Sequence, residues 1–163
     1  MKIKIREYES TDENAALEIW NTVVREGNAF PQIEELKPCE ADSFFKNQSF
    51  TGIAFDEESN EIVGLYILHP NNIGRCAHIA NASYAVKKSL RGKHIGEQLV
   101  LDCLKMASKK GFKILQFNAV VATNLHALNL YKRLGFTQLG KVPGGFKKND
   151  GSYEDIFLFY KEV

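Results

Sequence analysis

The stretch Lys87-Lys88-Ser89-Leu90-Arg91-Gly92-Lys93-His94-Ile95-Gly96 decides how the rest of the chain is read. It follows an apolar run, Ala77 to Val86, that predicts a strand. It precedes Ile95, Leu99, Cys103 and Met106/Ala107, whose spacing predicts a helix that stops at Gly111. Four Lys/Arg and one histidine fall within eight residues, Lys87 to His94. A helix N-terminus leaves up to about four backbone N–H groups unpaired and carries about half a positive charge, so it can receive a phosphate group. Gly92 and Gly96 permit close approach of an anion or of another backbone. The structural alternative is a solvated basic turn with a capping glycine. Neither GxxxxGK[ST] nor GxGxxG occurs, which excludes the two common nucleotide loops.

A second segment stands one predicted strand (Lys113–Val121) further on: Thr123-Asn124-Leu125-His126-Ala127-Leu128-Asn129-Leu130-Tyr131-Lys132-Arg133-Leu134-Gly135-Phe136. Asn124, Ala127 and Tyr131 are spaced i, i+3, i+7, so a helix presents them on one face, with Tyr131 roughly 10 Å beyond Asn124. An amide near a mouth and a phenol deeper in suit one elongated ligand. The structural alternative makes Asn124 an N-cap and Tyr131 a core aromatic with a satisfied hydroxyl.

Working outward, Ile3 and Ile5 mark a first strand, and Ser10-Thr11-Asp12 offers a cap for a helix carrying Ala16, Ile19, Trp20 and Val23 that should stop near Gly27. A second helix is expected over Glu40–Asn47. Phe50–Phe55 and Ile62–His69 read as an antiparallel hairpin, and Phe136–Val142 and Tyr153–Glu162 as closing strands joined through the turn-rich PGGFKKNDG. The order β-α-α-β-β-β-α-β-α-β-β predicts an α/β fold: a mixed, mostly antiparallel central sheet of about seven strands flanked by about four helices. With 163 residues, 44% of them hydrophobic, and no linker or repeat, a single domain over 1–163 is expected.

Twenty-one Lys+Arg against 20 Asp+Glu give a net charge of +1, so no overall field draws the chain to nucleic acid or to an anionic membrane. Cys39, Cys76 and Cys103 lack a CxxC pairing, which argues against a disulfide framework or a zinc site and agrees with a cytoplasmic setting. The N-terminus MKIKIREYES lacks the apolar core of a signal peptide, and no run of about 18 apolar residues occurs.

The two segments, in this order and at this separation, resemble the signatures of the Gcn5-related N-acetyltransferase (GNAT) family. Q/R-x-x-G-x-G/A maps onto Arg91-Gly92-Lys93-His94-Ile95-Gly96, and N-x-x-A-x-x-L-Y-x-x-x-G-F is matched by Asn124, Ala127, Leu130, Tyr131, Gly135 and Phe136. The resemblance implies acetyl-CoA as co-substrate and no metal. The turn Arg91, Gly92, Lys93, His94, Ile95 and Gly96 would hold the pyrophosphate, the main chain around Val86 the pantetheine arm, and Asn124 the cofactor. Tyr131 would protonate the leaving sulfur. Members are often dimers, so a homodimer is admitted.

Three departures stand out. His94 replaces a glycine, which a helical first-turn φ would allow, and Lys88 replaces a frequent proline. Asn81 stands where amino-acid-acylating members resembling the phosphinothricin group often carry a glutamate. His78-Ile79-Ala80-Asn81-Ala82-Ser83 with Phe117-Asn118-Ala119-Val120 looks more like fungal enzymes that acetylate proline analogues, which would make Asn81 and Asn118 substrate-binding and Asn81 catalytic. An amide is no base, so the acceptor's proton would pass to water or to His78, for which a structural role is the alternative. The reading is therefore a small-molecule N-acetyltransferase acting on an amino acid or analogue. A catalytically silent acyl-CoA-binding module and a protein N-terminal acetyltransferase are the alternatives.

Overall fold

A computed structural model describes residues 1–163. The strands are β1 Ile3–Glu7, β2 Phe50–Asp56, β3 Ile62–Pro70, β4 Ile79–Val86, β5 Ile114–Val121, β6 Thr137–Lys147 and β7 Tyr153–Glu162. The helices are α1 Glu13–Glu26, α2 Pro38–Lys46, α3 Ile95–Lys109 and α4 Leu125–Arg133. All seven strands form one sheet in the order β1-β2-β3-β4-β5-β7-β6, antiparallel throughout except between β4 and β5. This is the mixed, mostly antiparallel sheet with four helices that the element order predicts.

Alternation along the strands divides the core into two layers. On β3, Tyr66 and Leu68 pack with Leu99 and Cys103 of α3, whereas Leu65 and Ile67 pack with Trp20 of α1 and Phe45 of α2. Helices α3 and α4 therefore cover one face of the sheet, and α1 and α2 the other. The helical stripe Ala16, Ile19, Trp20, Val23 is buried as its spacing requires. Gly27 ends α1 at φ 63°, a left-handed conformation natural to glycine.

Several boundaries differ from expectation for local reasons. Ser10–Asp12 forms a short 3₁₀ turn, and the Asp12 side chain does not cap α1. Its carboxylate is buried instead, accepting from the Arg6 guanidinium at 2.7 and 2.8 Å and from the Glu9 N–H at 2.9 Å. Helix α2 begins at Pro38, since proline at the first helical position lacks only an N–H that would be unpaired anyway. Strand β4 begins at Ile79, because Gly74–Cys76 make a 3₁₀ turn and leave His78 outside the strand. Strand β6 continues through Pro143-Gly144-Gly145, where the sequence predicts a turn. It is an edge strand, where proline costs no ladder bond, and a register shift between Val142 and Phe146 absorbs the irregularity.

Candidate active site

Strands β4 and β5 run parallel and pair only at Ile79 with Ile114 and Ala80 with Leu115, then part. The other side of β4 stays paired with β3 along its whole length, from Pro70 opposite Ala80 to Gly64 opposite Val86. Main-chain bonds from Asn71 N–H to the Ile79 carbonyl and from Lys87 N–H to the Val63 carbonyl, both 2.8 Å, show that odd-numbered residues of β4 bond to β3. In an antiparallel ladder the intervening residues direct their N–H and C=O groups the other way. The polar main-chain groups of Ala82, Tyr84 and Val86 consequently point into the gap beside β5. The Asn81 side-chain oxygen takes the Ala82 N–H at 2.8 Å, and the Val86 carbonyl accepts from Arg91 Nε at 3.3 Å.

The gap opens into a cleft of about 910 Å³ lined by β4, the turn after it, and the N-terminal halves of α3 and α4. In the turn, Gly92 adopts φ 82° and His94 φ 60°. His94 is thus left-handed, not helical as the sequence reading allows, and a side chain there costs about 1–2 kcal/mol relative to an ordinary conformation. The first α3 hydrogen bond runs from Gln98 N–H to the His94 carbonyl, and no side chain caps the helix. The N–H groups of Ile95, Gly96 and Glu97 therefore have no helical partner, and all three residues line the cleft. Gly96 is open on this side: an added Cβ would meet only a Val86 methyl at 3.9 Å.

Charges at the mouth are paired in ways sequence spacing does not reveal. Arg91 donates to both Glu26 oxygens of α1 at 3.0 and 2.8 Å, with Lys88 Nζ at 3.3 Å from the same carboxylate. Glu97 is held by Arg133 at 2.7 Å and approached by His94 at 3.4 Å. Lys93 is exposed and does not line the cleft, so this turn presents amides more than free cations.

On α4, the Asn124 side chain accepts from the Ala127 N–H at 3.2 Å, which is the N-cap role of its structural alternative, while the residue also lines the cleft. Tyr131 lies deeper, its ring against Phe117 (4.5 Å between centroids), Phe136 (5.4 Å) and Phe159 (5.9 Å). Burial, and then the nearby Cys103 thiol, raise its phenol above the ordinary tyrosine range. The phenol of Tyr131 therefore stays protonated throughout the neutral range. Beside it stands Tyr84, a residue absent from the sequence-based candidates. Its hydroxyl is buried without a hydrogen-bond partner, and the residue lines the same cleft. The signal available was its position, two residues before Val86 and so on the same face. Cys103 is fully buried, and burial pushes its thiol up to about 12, leaving it an unreactive core residue.

Asn81 and Asn118 lie on the opposite sheet face from Tyr131. Their neighbours Ala80, Ala82 and Phe117 pack beneath α3, so alternation turns the two amides toward the α1–α2 side. Asn118 donates to Asn71 Oδ1 at 2.6 Å and accepts from Gln116 Nε2 at 3.0 Å. Neither asparagine belongs to the cleft wall. His78 is exposed in the turn before β4, at the end where β4 and β5 are still paired, and its carbonyl holds the Lys113 N–H at 2.9 Å. That placement separates it from the gap.

No group of three or more His, Cys, Asp or Glu is arranged to hold a metal ion, and no helix is long and apolar enough to cross a membrane. Residues 15–136 match the acetyltransferase (GNAT) family. The N-acetyltransferase aca1 of Schizosaccharomyces pombe is 39% identical over 100 residues, which are 60% of this chain and 47% of that protein, so the chain spans about half the length of this relative. A GCN5-related N-acetyltransferase from Kribbella flavida superposes with a TM-score of 0.89 at 30% identity, covering 99% of this chain and 98% of that one. A phosphinothricin acetyltransferase from Sinorhizobium meliloti, solved in complex with acetyl-CoA, shares the fold with a TM-score of 0.91 at 18% identity, over 100% of this chain and 89% of its own. With the family match extending from α1 through both cleft-forming segments to Phe136, the chain belongs to the acetyltransferase (GNAT) family.

Proposed function

We propose that this chain is an N-acetyltransferase, a single domain over 1–163, that moves the acetyl group of acetyl-CoA to the amine of a small molecule, an amino acid or analogue. The observation that carries the reading is the gap between β4 and β5. It runs from unpaired N–H groups at the start of α3, past the outward main chain of Val86 and Tyr84, to the phenol of Tyr131. The residues fit the cofactor. The amides of Gly92 to Gly96 would hold the pyrophosphate, where the helix dipole favours negative charge. The main chain of β4 would pair with the amide-containing arm as a neighbouring strand does. A main-chain N–H in the gap would then polarise the thioester carbonyl as negative charge develops on its oxygen. Tyr131 would protonate the departing sulfur. Asn81 and Asn118 would bind the acceptor from the other face, with Asn81 standing where the phosphinothricin-like members carry a glutamate.

The test joins binding to turnover. Acetyl-CoA at about 100 times its dissociation constant should add about 2.7 kcal/mol to the folded state and raise the melting temperature. Free thiol should then be released with at least one acceptor from a panel of amino acids, polyamines, aminoglycosides and short peptides. Absence of any thermal shift at millimolar acetyl-CoA would sink the cofactor assignment. A shift without thiol release would instead mark a silent acyl-CoA-binding module, for which the lack of a carboxylate at position 81 leaves room.

A further inference from the structure

An amine arrives at neutral pH mostly as its ammonium and cannot attack a carbonyl until a proton is removed. The groups expected to remove it do not. Asn81 is an amide, Asn118 is tied to Asn71 and Gln116, and His78 lies at the closed end of the strand pair. The two carboxylates that line the cleft are already neutralised, Glu26 by Arg91 and Lys88 and Glu97 by Arg133.

Strand β3 brings up one more group. His69 is the register partner of Asn81 in the β3–β4 ladder. Leu65 and Ile67 on β3 and Ala85 on β4 belong to the core beneath α1 and α2, so the period of two puts His69 and Asn81 on that same face. Residues directly opposite in such a ladder hold their Cβ atoms about 5 Å apart. His69 is half-buried as a residue, and its ring Nδ1 lies 3.0 Å from the Pro70 carbonyl at an exposed position. A carbonyl oxygen only accepts, so this bond places the ring proton on Nδ1 and leaves the lone pair on Nε2. The bond also fixes the ring's orientation. Imidazole is the side chain suited to taking a proton near neutral pH.

We infer that His69 is the general base of the acetyl transfer, acting beside Asn81 in place of the carboxylate that position 81 lacks. The inference rests on the acetyltransferase reading above. Nε2 takes one proton from the ammonium of the acceptor and passes it to solvent. The freed lone pair forms the new N–C bond at the thioester carbonyl, and the C–S bond breaks with its electron pair on sulfur. The sulfur takes the Tyr131 proton, and the second proton lost by the nitrogen replaces it on the phenol. Base and acid stand on opposite faces of the sheet, which suits an attack and a departure at one carbonyl held in the gap.

The experiment uses the whole chain and the amino-acid acceptor giving the fastest thiol release. His69→Gln should lower kcat/KM about 10²- to 10⁴-fold. Its melting-temperature rise with acetyl-CoA should stay that of the unaltered protein, which shows that the variant is folded and binds. His69→Gly should lose turnover likewise and regain it with added imidazole, whereas a residue that only packs would show no such rescue. His69→Gln retaining turnover within about threefold, or a His69→Gly that imidazole does not rescue, overturns the assignment. If the unaltered chain binds acetyl-CoA but acetylates nothing in the panel, the acetyltransferase reading fails and His69 falls with it. That result is distinct from an active parent with active variants.

Discussion

Tyr131 packs its ring against Phe117, Phe136 and Phe159 while the residue still lines the cleft. Its place was legible from the i, i+7 spacing to Asn124. What spacing left open was whether the hydroxyl is spent in the core. Tyr131→Phe keeps the ring, so the packing and the acetyl-CoA-induced thermal shift should be retained. Turnover should fall on the order of 10²-fold or more with loss of the proton donor. A loss of about 1 kcal/mol in stability with the rate unchanged is the signature of a merely structural hydroxyl, and that outcome would remove Tyr131 from the mechanism. Asn124 shows the converse case. Its side chain is an N-cap, as its residue type and position allow, and any cofactor contact must use the part of the amide that the cap leaves free. Tyr84 carries only its position relative to Val86 as a local signal, and His69 carries none. Each is one residue in an apolar strand, and only the pairing of that strand shows what the side chain faces.

At the scale of elements, apolar spacing predicts the long helix α3, and Gly111, at φ 86°, follows its last turn as expected. The turn that feeds it is less legible in the sequence. His94 was compatible with a helical conformation by sequence, and it is left-handed because the chain must reverse from β4 into α3 within a few residues. Replacing it with glycine removes the Cβ conflict and loses only the 3.4 Å contact to Glu97, a carboxylate that Arg133 already holds. His94→Gly should therefore stabilise the protein by about 1 kcal/mol, raising the melting temperature by about 2–4 °C. Acetyl-CoA affinity should change little if, as proposed, the turn offers main-chain amides to the phosphates. A lower melting temperature would show that the imidazole–Glu97 contact outweighs the backbone strain, and a large loss of affinity would make His94 a phosphate ligand. Strand β6 went beyond its expected end for a related reason: a proline and two glycines usually mark a turn, but at a sheet edge they are tolerated within a bulged strand.

Across the whole molecule, two cores share one sheet, and the Arg6–Asp12 pair fastens β1 to the start of α1. Burial tends to raise the Asp12 carboxyl, but the Arg6 guanidinium and the Glu9 N–H outweigh it and hold the group below the usual carboxylate range. The sign follows from linkage: a depressed native value contributes stability that is complete above the unfolded value of about 3.9 and is lost as pH falls through the native one. Asp12→Asn should cost about 2 kcal/mol near neutral pH, a figure discounted for the partial exposure of Arg6. It should also flatten the fall in melting temperature below about pH 4. An unaltered acid slope would mean that other carboxylates control acid unfolding. What the sequence determined by itself was the order of elements, the family signatures and the identity of the turn and of Tyr131, because helix periodicity, caps and turn residues act over a few neighbours. Only the tertiary structure decided the rest: the parting of β4 from β5, the union of Arg91 with Glu26 65 residues away, and the juxtaposition of His69 with Asn81. Every non-proline residue of a strand carries the same N–H and C=O whatever its side chain. Which of them remain unpaired, and which side chains meet across the ladder, depends on long-range register, and no local pattern encodes it.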